Sequence, residues 1–252
     1  MLFNSVTFIL FFLPAALLLY YITPHKYKNE ALLLESLVFY AFGNVRYLPL
    51  TVGLVVWNYL VARMMGKETE HPGKRRAWLA VGLAVNLILL ISFKYGSYLS
   101  ELLNRMAQRN ISFFDMLPLG ISYYLFKLIS YLCDVYSGKC DPETNLIDFS
   151  VYVFMYPQMI VGPIIRYVDI RDDLKNRDRR IRPEDVQRGT RLFVYGLAKK
   201  VILADTLGML WSQAVGADGI GLDKASSALV WLAVLGYSLQ LYLDFSGYSE
   251  MS

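Results

Sequence analysis

The sequence predicts an all-α fold: a polytopic bundle of membrane helices containing a re-entrant or broken helix segment. Three observations carry this expectation. Apolar blocks, several of membrane-spanning length, alternate with short basic blocks along the 252 residues. Charged residues make up 18% of the chain, against about a quarter in an ordinary soluble domain. Hydrophobic residues reach 56%, and the mean hydropathy is +0.38. The 14 Phe, 19 Tyr and 4 Trp suit membrane interfaces, although core packing must account for some of them.

The first apolar block, Leu2 to Ile22, is long enough to cross about 30 Å of hydrocarbon as a helix. It lacks a convincing basic n-region or small-residue cleavage site, so it reads as a retained helix rather than a signal peptide. Pro14 is expected to kink it, which membrane helices tolerate when neighbours satisfy the freed carbonyl. Ala31 to Phe42 is short and holds Glu35. Leu48 to Met64 follows, and Ala77 to Tyr95 is the cleanest span. Leu117 to Tyr136, Leu146 to Tyr167, Gly189 to Trp211 and Ser226 to Phe245 bring the set to eight segments.

Loop charge orients these segments, because short basic loops stay cytoplasmic. Lys26 and Lys28 mark the first loop, five Lys or Arg lie between Arg63 and Arg76, and nine lie between Ile165 and Arg191. Two segments separate the first basic loop from the second, which returns the chain to the same side. Three separate the second from the third, so one of them should fail to cross. Leu117–Tyr136 is the expected exception, re-entrant or a broken pair of short helices. It opens Leu-Pro-Leu-Gly and holds Ser122, Lys127, Ser130 and Asp134. The amino terminus is then outside, and Asp244 reaches the cytoplasmic side. No Pro/Gly/Ser linker divides the chain. It reads as a single membrane domain over 1–252, with 166–191 as a basic cytoplasmic loop. That loop also holds six acids. Its simplest reading is a solvated, partly helical loop; the sharper one is an interfacial helix that attracts an anionic substrate.

The net charge of +4 sits in loops beside apolar segments, without an aromatic-interleaved groove, so nucleic acid is not an expected partner. Cys133, Cys140, His25 and His71 show no metal-ligand spacing, and no metal is expected. Phosphate-loop, paired-His zinc and nucleophile-elbow signatures are missing. Ionisable residues within the apolar segments are the functional candidates by cost: Glu35, Lys94, Lys127, Asp134, Lys199, Lys200, Asp205 and Asp244. Lys94, at a span end, is expected to snorkel. Lys127 and Asp134, seven residues apart, share a helix face. For each charge, structural pairing is the commoner outcome.

Four stretches carry more: "LPLGISYYLFKLISYLCDVYSG" (Leu117–Gly138), "YPQMIVGPIIRY" (Tyr156–Tyr167), "GLAKKVILAD" (Gly196–Asp205) and "YLDFSGYSEMS" (Tyr242–Ser252). With the opening "MLFNSVTFILFFLP", they resemble the membrane-bound O-acyltransferase family, in its bacterial alginate O-acetyltransferase-like branch. The likeness covers nearly the whole chain, in the family's order. It implies helices around a tunnel and transfer of an acyl group, usually acetyl, to a hydroxyl of an exported polysaccharide such as alginate. It implies acetyl-CoA as donor, periplasmic acetyltransferase partners and a bacterial inner-membrane location. The base suited to this chemistry is His, and the family's His lies in a motif expected beyond Ser252. No catalytic residue is therefore assigned, and the chain resembles the amino-terminal part of a longer enzyme, inactive alone. The matched motifs make Gln158, Pro163, Arg166, Asp244, Ser246 and Tyr248 candidates for lining or supporting a tunnel, beside Lys127 and Asp134. Pro157, Gly162 and Pro163 are expected to break a helix. Lys127 stands where the alginate branch is expected to have Gln. That brings in a D-alanyl-transferring relative that draws on a carrier protein. A non-enzymatic transport or export scaffold is the alternative from another class.

Overall fold

The computed structural model describes residues 5–96, 98, 100, 117–159, 162–176, 182–215 and 226–252. Among these residues all regular structure is helical. The helices are α1 (Leu13–Ile22), α2 (Lys28–Asn44), α3 (Leu48–Lys67), α4 (Pro72–Lys94), α5 (Ile121–Tyr136), α6 (Leu146–Phe154), α7 (Tyr156–Met159), α8 (Tyr167–Lys175), α9 (Pro183–Ala198), α10 (Asp205–Val215) and α11 (Ser227–Met251).

Three helical stretches are long and apolar enough to span a membrane: His25–Lys67, Pro72–Lys94 and Ser227–Met251. At 1.5 Å per residue, the 23 residues of α4 reach about 35 Å, more than the hydrocarbon thickness. α5, with 16 residues, reaches only about 24 Å. Large apolar side chains lie exposed along α1, α4 and α11, as lipid-facing surfaces require. Lys94 is exposed at the end of α4, over the Tyr95 ring, where a snorkelling lysine belongs.

Pro14 acts through its missing N–H. The turn before it, Phe8–Phe12, is π-helical, and the Leu13 N–H donates to Phe8 O. α4 begins five residues before the expected span, because Pro72 at the first helical position starts a helix readily.

The reading of Leu117–Tyr136 as a broken pair requires correction. Leu117–Tyr136 does not contain a broken pair: α5 runs unbroken from Ile121. Its Pro118 and Gly120 lie in the turn that precedes it, where Gly120 adopts φ 71°. A break falls in Leu146–Tyr167, where Pro157, Gly162 and Pro163 are expected to place one: the segment holds α6, α7 and a non-helical stretch over 162–166. Met155 leaves helical geometry at φ −40°, ψ 110°. Pro157 follows and has no N–H to extend α6. Gly162 and Pro163 lie in the non-helical stretch, as expected of helix breakers.

The residues form two compact units, Ala16–Ile160 with Ile164–Arg179, and Met1–Ala15 with Val161–Pro163 and Arg180–Ser252. In the larger unit, α3 packs on α4, α5 and α6, and α2 packs on α6. Its core is aromatic. Tyr131 lies 4.6 Å from Phe149 and 5.1 Å from Tyr167, and Tyr152 lies 5.2 Å from Tyr167, ring centre to ring centre. Asn58 of α3 and Asn86 of α4 exchange amide hydrogen bonds at 3.1 and 2.7 Å. In the smaller unit, α11 packs on α9, α10 and the π-helical turn Lys199–Ala204.

Candidate functional site

In the larger unit, α5 supplies the polar residues at the helix break. Lys127 is 1% exposed. Its Nζ donates to Tyr152 O at 3.2 Å and to Gln158 Oε1 at 3.3 Å, and lies 5.4 Å from the Tyr152 ring centre. The first of these bonds follows from the break. In an unbroken helix Tyr152 O would accept from the Tyr156 N–H. That N–H instead donates to Ser36 Oγ of α2 at 3.1 Å. Lys127 therefore satisfies a carbonyl that the helix has released, and buried backbone groups need such partners. The Tyr152 hydroxyl in turn donates to Ile165 O at 3.1 Å.

Two turns further along α5, Asp134 accepts from Arg166 at both oxygens, with Nε at 3.1 Å, and Lys139 stands 3.9 Å away. This forked pairing fixes a planar guanidinium better than a single contact does. The carboxylate raises the Arg166 guanidinium above its ordinary value, chiefly by hydrogen bonding. Lys127 and Asp134 thus share a buried face, as their spacing predicts, and both are used to hold the chain after α6.

Glu143, in the loop before α6, carries no signal in the sequence, yet it is 3% exposed. It accepts from the Thr144 and Asn145 N–H groups at 2.7 and 3.0 Å and from the Tyr167 hydroxyl, with Lys175 at 3.4 Å. Burial pushes its carboxyl upward, but the Tyr167 and backbone hydrogen bonds and the lysine outweigh burial and hold it below the ordinary glutamate value. Beside this loop, burial and then Asp134 raise the Cys140 thiol to about 11. It stays protonated at neutral pH, unlike a nucleophilic cysteine. Nearby, Asn29 Nδ2 donates to Asp148 Oδ1 at 2.6 Å and to Leu174 O at 2.9 Å. Glu35 is 5% exposed and its Oε1 has no hydrogen-bond partner among the described residues.

The remaining candidates belong to the smaller unit. Lys200 lies 2.8 Å from Asp205 and 2.8 Å from Asp244, which ties α10 and α11 together. These are structural pairings of charges within the unit, and Lys200 bridges two carboxylates. Lys199 meets Glu250 and, at 3.3 Å, Ser246. Both lysines start a π-helical turn, a distortion frequent at functional sites. Tyr248 lies half-buried on α11, and Pro163 half-buried in its non-helical stretch. The structure therefore brings Lys127 to Gln158, Asp134 to Arg166, Asp244 to Lys200 and Ser246 to Lys199. His25 and His71 are exposed at the starts of helical segments. Among the described residues, no cluster of three or more His, Cys, Asp or Glu is placed to hold a metal.

No family model matches the chain. Curated proteins do match it throughout. It is 37% identical, over 100% of its length and 48% of the other's, to a protein of Pseudomonas syringae pv. tomato named probable alginate O-acetylase AlgI. A Pseudomonas putida protein of the same name is 38% identical, over 100% of the chain and 52% of its own length. A Helicobacter pylori protein named peptidoglycan O-acetyltransferase is 34% identical, over 100% of the chain and 53% of its own length. The chain spans about half the length of the curated relatives it matches.

Proposed function

We propose that this chain, related over its whole length to members of the membrane-bound O-acyltransferase family, forms part of a multi-pass membrane enzyme that transfers acetyl groups to hydroxyls of an exported polysaccharide. The observation that carries the proposal is whole-chain similarity to proteins named for O-acetyl transfer to alginate and to peptidoglycan. The helical structure supports it, with three stretches able to cross a membrane and polar side chains gathered at a helix break.

In this reading the enzyme sits in the bacterial inner membrane, takes acetyl from acetyl-CoA and delivers it to a polysaccharide such as alginate, with periplasmic acetyltransferases as partners. The base that accepts the hydroxyl proton is a histidine outside these 252 residues. Lys127 and Asp134 brace the break, and Gln158 and Arg166 are held by them. Asp244 and Ser246 are held by the Lys199–Lys200 pair.

The test is deletion of the gene, followed by measurement of base-labile acetate on the exported polysaccharides. A several-fold loss of acetate, restored by the gene, is the expected result. Unchanged acetate on every surface polysaccharide refutes the proposal. A second reading, D-alanyl transfer from a carrier protein, rests on Lys127 standing where the alginate branch is expected to have Gln. Loss of ester-linked D-alanine in place of acetate would favour it.

A further inference from the structure

A groove of about 420 Å³ opens on the smaller unit between α9, the π-helical turn and α11, lined by Tyr195, Ala198, Lys199, Ile202, Leu203 and Glu250. Its apolar wall faces outward: Tyr195, Ile202 and Leu203 are all exposed. The polar exception is the Lys199–Glu250 ion pair, whose side chains are 33% and 29% exposed. α11 sets the depth of that pair. Its 25 residues reach about 38 Å, more than the ~30 Å of hydrocarbon. The stretch Ser227–Leu243 holds no charged residue, and Asp244 and Glu250 fall near the carboxy-terminal end of the helix. Glu250 therefore stands at a membrane face, at the level of lipid head groups, and Lys199 stands beside it. The helix that carries Lys199 runs antiparallel to α11, since Gly196 meets Gly247, Lys200 meets Asp244 and Trp211 stacks on Tyr237. Ile202 and Leu203 thus lie deeper in the bilayer than the ion pair.

The pair keeps unused hydrogen-bonding capacity of both kinds. An ammonium has three N–H donors, and Lys199 directs two of them, to Glu250 and to Ser246 Oγ at 3.3 Å. Among the described residues Glu250 accepts from Lys199 alone, and its Oε2 has no partner. The last torsion of a glutamate is broad and roughly two-fold, so either oxygen can turn to the groove. A free donor and a free acceptor therefore sit side by side on a pair with no net charge. We infer that this groove binds phosphatidylethanolamine, a phospholipid with a primary-ammonium head group. Its phosphate accepts from Lys199, its ammonium donates to Glu250, and one acyl chain lies over Ile202 and Leu203. Charge complementarity selects this lipid. Phosphatidylglycerol brings an anion with no ammonium to offset Glu250. Phosphatidylcholine brings a quaternary ammonium with no N–H to donate. The inference goes beyond the acyl-transfer reading and does not depend on it.

The test is lipid competition on the gene product purified in detergent. It is equilibrated with equal amounts of phosphatidylethanolamine, phosphatidylcholine and phosphatidylglycerol of matched acyl chains, and retained lipid is read by native mass spectrometry. Wild type should retain phosphatidylethanolamine at least about tenfold over either competitor, the factor that one hydrogen bond to a charged group supplies. Equal retention of phosphatidylethanolamine and phosphatidylcholine, a preference for phosphatidylglycerol, or retention of no lipid overturns the inference, and none of these readings needs a variant. Glu250→Gln leaves an acceptor for Lys199 but removes the negative charge. It should abolish the preference over phosphatidylcholine and raise phosphatidylglycerol to at least the level of phosphatidylethanolamine. An E250Q protein that keeps the wild-type preference overturns the inference. K199Q should lower retention of phosphatidylethanolamine several-fold, and unchanged retention would refute the phosphate contact. Glycerophosphoethanolamine, which carries the head group without acyl chains, separates a lipid from a soluble phosphate. At equal concentration it should not displace the lipid; displacement would remove the apolar wall from the site.

Discussion

Removing Glu143 should destabilise the larger unit more than any surface change. Its carboxylate accepts two backbone N–H groups and the Tyr167 hydroxyl, and it is 3% exposed. Glu143→Ala leaves those donors without their partner. A hydrogen bond to a charged group contributes about 1.5–3 kcal/mol, and deleting one member of a buried charged cluster costs about 3–5 kcal/mol. The Lys175 side chain is 53% exposed, so its share is screened and adds little. The expected cost is thus about 3–5 kcal/mol. At about 2–4 °C per kcal/mol for a chain of this size, the thermal midpoint falls by ~6–20 °C. The assay is thermal unfolding of the detergent-solubilised or nanodisc-embedded protein, with E143Q beside E143A. Glutamine keeps an acceptor for the backbone N–H groups and should lose less. A midpoint for E143A within about 2 °C of wild type would refute the reasoning. Acid gives the same test without mutation. The folded carboxyl is held below its ordinary value, so its stabilisation is complete above the unfolded value of about 4.3 and is lost as pH falls through the lower folded value. Wild type should lose stability across that acid window, and E143A should lose less there.

Other perturbations follow from close packing and pairing. A Cβ on Gly247 would stand 2.7 Å from Gly196 O, and one on Gly196 would stand 2.4 Å from Gly247 O. Both obstacles are backbone, so G196A or G247A should each cost about 1–3 kcal/mol in thermal unfolding, whereas G53A, which meets nothing within 4 Å, should not. Asn58→Leu or Asn86→Leu alone should cost about 1–2 kcal/mol by stranding the other amide between α3 and α4; the double variant should cost less than the sum of the two, measured as a double-mutant cycle. Asp134→Asn should lower both the thermal midpoint and acetate transfer, and Arg166→Lys should not restore them, because lysine cannot make the forked contact; full transfer in R166K would count against that role.

The sequence reveals the cost of these features more readily than their compensation. The helical segments are legible because apolar length and loop charge are local properties. α4 extends past its expected start because Pro72 suits the first helical position, and an arginine that follows has a long-range partner. Arg75 donates to Val135 O at 2.8 Å, near the end of α5, and lies over the Tyr136 ring. Pro118 and Pro157 look alike in sequence, which is why Leu117–Tyr136 reads as broken as readily as the stretch from Pro157 to Pro163. Pro118 precedes a helix and costs nothing there. Pro157 follows α6, and its missing N–H must be answered elsewhere. Such answers are long-range: Asn29 finds Asp148 across 119 residues, and the Tyr156 N–H finds Ser36 across 120. Glu143 is hidden for a related reason: two of its donors are the adjacent Thr144 and Asn145 N–H groups, but Tyr167 and Lys175 join it only after folding.

These compensations also change which residues remain available for substrate. A charge inside an apolar segment is a functional candidate because it is expensive. Lys127 and Asp134 meet that criterion, yet both are occupied, one by an orphaned carbonyl and an amide oxygen, the other by a guanidinium. Broken backbone at membrane depth requires such caps. The cost of these charges is therefore offset within the protein itself. The charged residues at the break therefore hold its shape, whereas the buried Glu35 Oε1 of α2 has no hydrogen-bond partner among the described residues.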